Sequence, residues 1–177
     1  MQSLPSPNQL SSSSSSSYTQ MADETYKFGP YTIYQKESFY STDLSYAFVN
    51  LRPVLPGHVL VCPRREVKRF IDLTTEEATD LWISAHKIGK QLENYHNASS
   101  LTFTIQDGPH AGQSVPHVHI HILPRKDGDF VNNDEIYDAI DAKEKELKKK
   151  LDLDKERKDR SMEERAQEAA EYRKFSF

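Results

Sequence analysis

Apolar and polar positions alternate along this chain in two different periods. Tyr31-Thr32-Ile33-Tyr34-Gln35, Ser45-Tyr46-Ala47-Phe48-Val49-Asn50 and His58-Val59-Leu60-Val61-Cys62 are short runs rich in aromatic and β-branched residues, and each predicts a strand. Between the second and third lies Leu51-Arg52-Pro53-Val54-Leu55-Pro56-Gly57, whose prolines and glycine mark a turn, so these two strands are expected to pair antiparallel. The period then changes. Thr74 with Glu77 forms a capping-box pattern, and Ala78, Leu81, Trp82, Ala85, Ile88 and Leu92 recur at helical spacing, which predicts a long helix with that face in the core and His86 toward solvent. Alternation returns in Leu101-Thr102-Phe103-Thr104-Ile105-Gln106 and again in Pro116-His117-Val118-His119-Ile120-His121-Ile122-Leu123. Along a strand successive side chains change face, so His117, His119 and His121 share one face while Val118, Ile120 and Ile122 share the other.

The pattern weakens at both ends. Residues 1–22 are serine-rich, with Pro5 and Pro7, and read as a disordered tail, with an organelle transit peptide as the other reading and Met21 as an alternative start. The expected domain spans 23–140. Asp134 is placed to cap a helix carrying Ile136, Ile140, Leu147 and Leu151. From 141 to 177 acidic and basic residues alternate with few apolar anchors, predicting a solvated helix or partly disordered arm whose Tyr172, Phe175 and Phe177 can dock back or onto a partner.

Composition narrows the function classes. With a net charge of −4 there is no basic stripe to support nucleic-acid binding, and no apolar run approaches the length of a membrane span. The single cysteine, Cys62, lies in an apolar run and reads as a buried thiol in a reducing, cytoplasmic or nuclear setting.

Three imidazoles on one strand face admit three readings: an ordinary half-exposed strand, a metal site, or nucleophilic catalysis. Neutral imidazole binds zinc, copper or iron, and His58, His110 or Asp107 stand ready to complete a shell. Neutral imidazole is also a nucleophile toward phosphorus, provided one ring nitrogen is held by a hydrogen bond and donors await the charge on the phosphate oxygens. The glycine-bearing loop Asp107-Gly108-Pro109-His110-Ala111-Gly112-Gln113-Ser114 leads into the histidine run.

The run His117-Val118-His119-Ile120-His121-Ile122-Leu123 resembles the signature of the histidine triad superfamily in full. Leu44 to Asn50, Pro56 to Pro63, Ser100 to Phe103, Gln106 to Pro109, Ala111-Gly112-Gln113 and Leu123 to Lys126 are similar to its fragile histidine triad branch, so the resemblance covers about Tyr26 to Tyr137 and weakly the Glu163–Arg173 stretch. It implies an α+β fold: an antiparallel sheet of about five strands with the long helix on one face and a C-terminal helix. It further implies a homodimer with joined sheets and hydrolysis of diadenosine triphosphate to AMP and ADP. His119 would be the nucleophile, His117 its orienting partner, and His121 and His58 the lining of the phosphate site. Asn50 resembles the ribose contact and Gln106 a second nucleotide contact; Gly112, Gln113, Ser114 and Val115 resemble the phosphate-side loop; Phe28, Ile33, Phe48 and Leu60 resemble the walls around adenine. No resident metal is implied; magnesium or manganese would arrive on the polyphosphate. Adenosine 5′-phosphosulfate and adenosine phosphoramidate are further expected substrates, and a signalling module read out by dinucleotide occupancy is the alternative. Pro116 and Tyr31 depart from the family pattern, where a basic residue and a histidine are common. Tyr137 matches a tyrosine phosphorylated in some relatives, and reads otherwise as a helix-face aromatic.

Overall fold

A computed structural model describes residues 24–150 and 159–177, with 146–150 described by backbone alone. The expected tail over 1–22 and Leu151 lie outside the described residues, as does the side chain of Leu147. Seven strands are assigned among them: β1 (Thr25–Phe28), β2 (Tyr31–Tyr34), β3 (Ser38–Ser41), β4 (Ser45–Val49), β5 (Val59–Pro63), β6 (Ser100–Thr104) and β7 (Ile120–Arg125). The helices are α1 (Thr75–Tyr95), α2 (Glu135–Lys150) and α3 (Met162–Tyr172). Five strands form an antiparallel sheet in the order β3-β4-β5-β7-β6, and β1 and β2 form a separate hairpin.

The expected α+β architecture is present, with two changes of membership. The run at Tyr31 belongs to the small hairpin, and Ser38–Ser41 takes its place in the sheet. The histidine strand starts later than its alternation suggested: β7 begins at Ile120, so His117 and His119 lie in the irregular segment that feeds it. The pattern of faces survives. Ala47, Val49, Val59, Val61, Val118, Ile120 and Ile122 form one core with α1, whereas the alternate residues Tyr46, Phe48, Leu60 and Cys62 pack under the hairpin with Tyr26, Phe28 and Ile33. His121 sits opposite Leu60 in the β5–β7 ladder, which puts the imidazoles on the hairpin side.

α1 forms as its cap predicts: the Glu77 N–H donates to the Thr74 hydroxyl, and the Glu77 carboxylate accepts the Thr74 N–H. Leu81, Ala85, Ile88 and Leu92 are fully buried, and burial of each leucine or isoleucine is worth roughly 1.5–3 kcal/mol. Gly89 lets the helix approach β6; a Cβ there would lie 2.7 Å from the Phe103 ring. Trp82 departs from expectation. It is 42 % exposed and faces Phe103 across 6.4 Å, over the outer strand rather than in the core, while His86 is exposed as expected.

The charged C-terminal stretch also departs from a solvated arm. α2 runs unbroken across the expected boundary at 140/141, anchored by Ile136 and Ile140 against Leu123. α3 lies along β3 and buries Ala169 and Tyr172 in the main core. The aromatic end docks back: Tyr172 meets Phe39 and Phe175, and Phe177 meets Tyr40 at 4.8 Å. Cys62 is a buried free thiol, and no helix among the described residues is long and apolar enough to cross a membrane.

Candidate active site

His117, His119 and His121 converge with His58, which immediately precedes β5, and all four are essentially excluded from solvent. Their hydrogen bonds assign the tautomers. His119 Nδ1–H donates to the His117 carbonyl at 2.7 Å, so the lone pair of the neutral ring is on Nε2. His117 Nε2–H donates to the Pro63 carbonyl at 2.9 Å, clamping the segment that carries His119 onto β5. The Val54 N–H donates to His58 Nδ1 at 3.1 Å, which leaves His58 Nε2–H to donate to His121 Nδ1 at 2.9 Å. His121 therefore presents an Nε2–H donor, and next to it His119 presents an Nε2 lone pair. Neither atom has a hydrogen-bond partner among the described residues.

Burial disfavours the protonated form of three of these rings. It pushes His58 down to about 3, with the neighbouring His119 adding to the effect. His121 is lowered well below the ordinary histidine value, first by burial and then by His119 and His58. His117 is lowered by burial, partly opposed by its bond to the Pro63 carbonyl.

Beside the histidines a cavity of about 150 Å³ is lined by Phe28, Ile33, Phe48, Leu60 and Asn50, all expected there, and also by Tyr31 and Thr32. Phe28 stands edge-on to His119 with ring centroids 5.2 Å apart. None of the four histidines lines this cavity itself; Phe28 and Asn50 connect it to them, whereas the larger grooves of about 590 and 680 Å³ lie elsewhere. Asn50, one residue past β4, accepts the Arg52 N–H at 2.9 Å and lies against His58. Val115 is buried beneath the hairpin. Gly112 has φ +94°, and a Cβ there would come 2.6 Å from both Asp141 Oδ1 and Gln106 Nε2. Gln113 braces the loop, donating to the Lys68 carbonyl at 2.9 Å and accepting the Gly108 N–H at 3.2 Å. Pro116 and His110 are exposed, and Asp107 is held by Arg69 and the Phe70 N–H, away from the triad. Tyr137 is exposed on α2.

Three residues at the site come from the stretch expected to be solvated. Glu144 accepts a hydrogen bond from the Ser114 hydroxyl and has a carboxylate oxygen 3.8 Å from His121 Nε2. Asp141 accepts from Gln106 Nε2 at 2.6 Å. Arg165 of α3 reaches the cavity wall and pairs with the buried Glu37. Their charge pointed outward, and only tertiary contacts reveal that Glu144 is buried and the other two half-buried. Isoleucines at 136 and 140, one turn apart and one turn before Glu144, were the available signal.

The HIT domain family matches residues 33–128. The chain is 70 % identical over 149 residues to a bifunctional bis(5'-adenosyl)-triphosphatase/adenylylsulfatase FHIT of Arabidopsis thaliana, covering 84 % of this chain and 83 % of that one. It is 54 % identical to a bis(5'-adenosyl)-triphosphatase of Dictyostelium discoideum, covering 82 % of this chain and 89 % of that one. Among solved structures, the NitFhit protein of C. elegans superimposes with a TM-score of 0.67 at 44 % identity, over 84 % of this chain but only 29 % of that longer one. Diadenosine triphosphate hydrolase of Plasmodium falciparum gives a TM-score of 0.59 at 36 % identity, over 76 % of this chain and 89 % of that one. By matched domain, identity and fold together, the chain belongs to the HIT domain family and to its fragile histidine triad branch.

Proposed function

We propose that this chain hydrolyses diadenosine triphosphate to AMP and ADP through an adenylyl group carried on His119 Nε2. One observation carries the reading: the His119 Nδ1–H bond to the His117 carbonyl puts the ring's lone pair on Nε2, beside His121 and Glu144. In the first step Nε2 attacks the α-phosphorus, the bond to the bridging oxygen breaks, and its electron pair leaves with ADP. The His121 Nε2–H is the donor placed for the phosphate oxygens. In the second step water attacks the same phosphorus and gives up one proton to solvent, the P–N bond breaks, AMP leaves and His119 regains its lone pair. The names of the Arabidopsis and Dictyostelium relatives support this substrate, and the Arabidopsis name supports adenosine 5′-phosphosulfate as a second one, with sulfate leaving in place of ADP.

Magnesium or manganese enters on the polyphosphate in this scheme. His119, His121 and Glu144 hold ligand atoms within 4.8 Å of one another, but a metal there would occupy the lone pair that attacks phosphorus. A homodimer is supported by the edge strand β6, which is flanked by exposed Trp82, Ile83 and Phe103 and suits a second copy of this chain. Phe103→Asp should convert a dimer to monomer in analytical ultracentrifugation; a monomeric wild type would refute the arrangement. The lone buried thiol suits a reducing compartment such as the cytoplasm. Phosphorylation of Tyr137 would add about −1.5 to −2 charge to the helix that carries Glu144 and weaken binding of an anionic substrate, so Tyr137→Glu should raise KM; an unchanged KM would refute that role.

A substrate panel tests the activity. Catalytic efficiencies are measured for diadenosine tri- and tetraphosphate, adenosine 5′-phosphosulfate and adenosine phosphoramidate. Diadenosine triphosphate should rank first, with AMP and ADP formed in equal amounts; turnover of none of the four would overturn the reading.

A further inference from the structure

We propose that the acidic turn of α2, Asp141 to Glu144, is a built-in plug that mimics substrate phosphate, so that the protein exchanges between a covered and an open site. The inference rests on the proposed function only in taking the site to receive a nucleotide phosphate. Attack on phosphorus needs the reacting atoms about 3–3.5 Å apart. Yet His119 is 1 % exposed and His121 0 %, so something must leave before a phosphorus can reach Nε2. Glu144 is what stands there. Its carboxylate is 3.8 Å from His121 Nε2 and accepts from the Ser114 hydroxyl, while the Asp141 carboxylate accepts from Gln106 at 2.6 Å. Each partner is a donor that a phosphate or ribose oxygen would otherwise use, and a carboxylate offers the same acceptor chemistry.

Volume gives an independent argument. The cavity beside the triad is about 150 Å³, and a second void of about 20 Å³ adjoins His58. Small-molecule sites measure roughly 300–1,000 Å³. With α2 in place there is space for a base but not for a nucleotide, and Glu144 lines both spaces.

The helix is built to hold this position without locking it. Ile136, Ile140 and Glu144 recur every four residues on one face; the two isoleucines are buried against Leu123, and Glu144, at 6 % exposure, continues their line into the site. Apolar contact thus secures the first turns, while the end over the histidines is a buried carboxylate that accepts from the Ser114 hydroxyl and lies 3.8 Å from His121 Nε2. The donors that hold this end, the Ser114 hydroxyl and the Gln106 amide, are ones that phosphate or ribose oxygens can take over, so this end is the part a substrate can displace. A substrate triphosphate, with more charge and more acceptor oxygens, competes for the same donors.

Covering the site divides the affinity of every ligand by the same factor, because only the open fraction binds. The test compares wild type with Asp141→Ala/Glu144→Ala, which removes a buried charge and leaves the isoleucine anchors. KM for diadenosine triphosphate and for adenosine 5′-phosphosulfate, and the calorimetric Kd for AMP, should fall by one common factor, about fivefold or more, with kcat within twofold. In the wild type, AMP should speed amide exchange across residues 135–145. Unchanged KM and Kd would overturn the plug. So would a large loss of kcat, which would make Glu144 a participant in the reaction, or factors that differ between ligands, which would make these carboxylates substrate contacts. Slower exchange with AMP would also overturn it, making α2 a clamp. If AMP binds more tightly in the variant while the wild type cleaves no substrate, the plug stands and the hydrolase reading fails.

Discussion

Acidification should weaken this fold through His58, and the size of the effect follows from its surroundings. His58 is 1 % exposed, and burial together with the neighbouring His119 brings it down to about 3. Unfolded, the same side chain titrates near 6.5. Because the folded value is depressed, the unfolded chain takes up a proton that the folded one refuses. Stability is therefore full above about pH 6.5 and falls as pH drops toward the folded value. Between pH 7 and pH 5 the unfolded ring becomes almost fully protonated while the folded one stays neutral, a differential of about 2 kcal/mol at 1.36 kcal/mol per pH unit. His117 and His121 are lowered as well and act in the same direction, so the wild type should lose more than this. His58→Gln isolates one contribution: its amide oxygen can accept the Val54 N–H and its amide group can donate to His121, but it does not titrate. Urea unfolding followed by circular dichroism at pH 7, 6 and 5, at fixed protein concentration, should show the loss on acidification reduced by about 2 kcal/mol in the variant. Equal losses in the two proteins would refute a neutral buried His58.

Two other sites make separate demands. Arg165→Met should cost roughly 3–5 kcal/mol, because Glu37, at 1 % exposure, loses its ion-pair partner; adding Glu37→Gln should recover much of this in denaturant titrations, and a loss below about 1 kcal/mol would contradict the pairing. Gly112→Ala should destabilise by about 1–2 kcal/mol, since φ is +94° and the new methyl group would part Gln106 from Asp141; thermal unfolding measures it, and an unchanged midpoint would contradict the backbone conformation.

The features that could be read from local pattern are those with a strict period. β4 and β5 form where their patterns predict, α1 buries Leu81, Ala85, Ile88 and Leu92 of the face its spacing marks, and the alternation of histidine with valine and isoleucine places the imidazoles together even though His117 and His119 precede β7. Ser38–Ser41 carried no usable alternation, because a register shift between Ser38 and Tyr40 breaks its pairing with β4. Trp82 has helical spacing but lies over the outer strand, where the helix face turns outward beyond the core. Glu144 and Arg165 were the least legible. A charged residue reads as solvated unless its partner is known, and here the partners, Ser114 and Glu37, lie 30 and 128 residues away. The resemblance to the triad family named the wall and loop residues, but it could not tell that α2 closes over them.

The central claim is that His119 Nε2 forms a bond to phosphorus, and trapping that bond tests it most directly. The protein is mixed with adenine-labelled diadenosine triphosphate, quenched within the first turnover, and digested for mass spectrometry. The account predicts one AMP group on His119, lost in acid and retained in base, with ADP released in equal amount. It also predicts that His119→Asn carries no label and has turnover reduced by roughly 10⁴-fold or more. Label on any other residue, or near-normal turnover by His119→Asn, would contradict it.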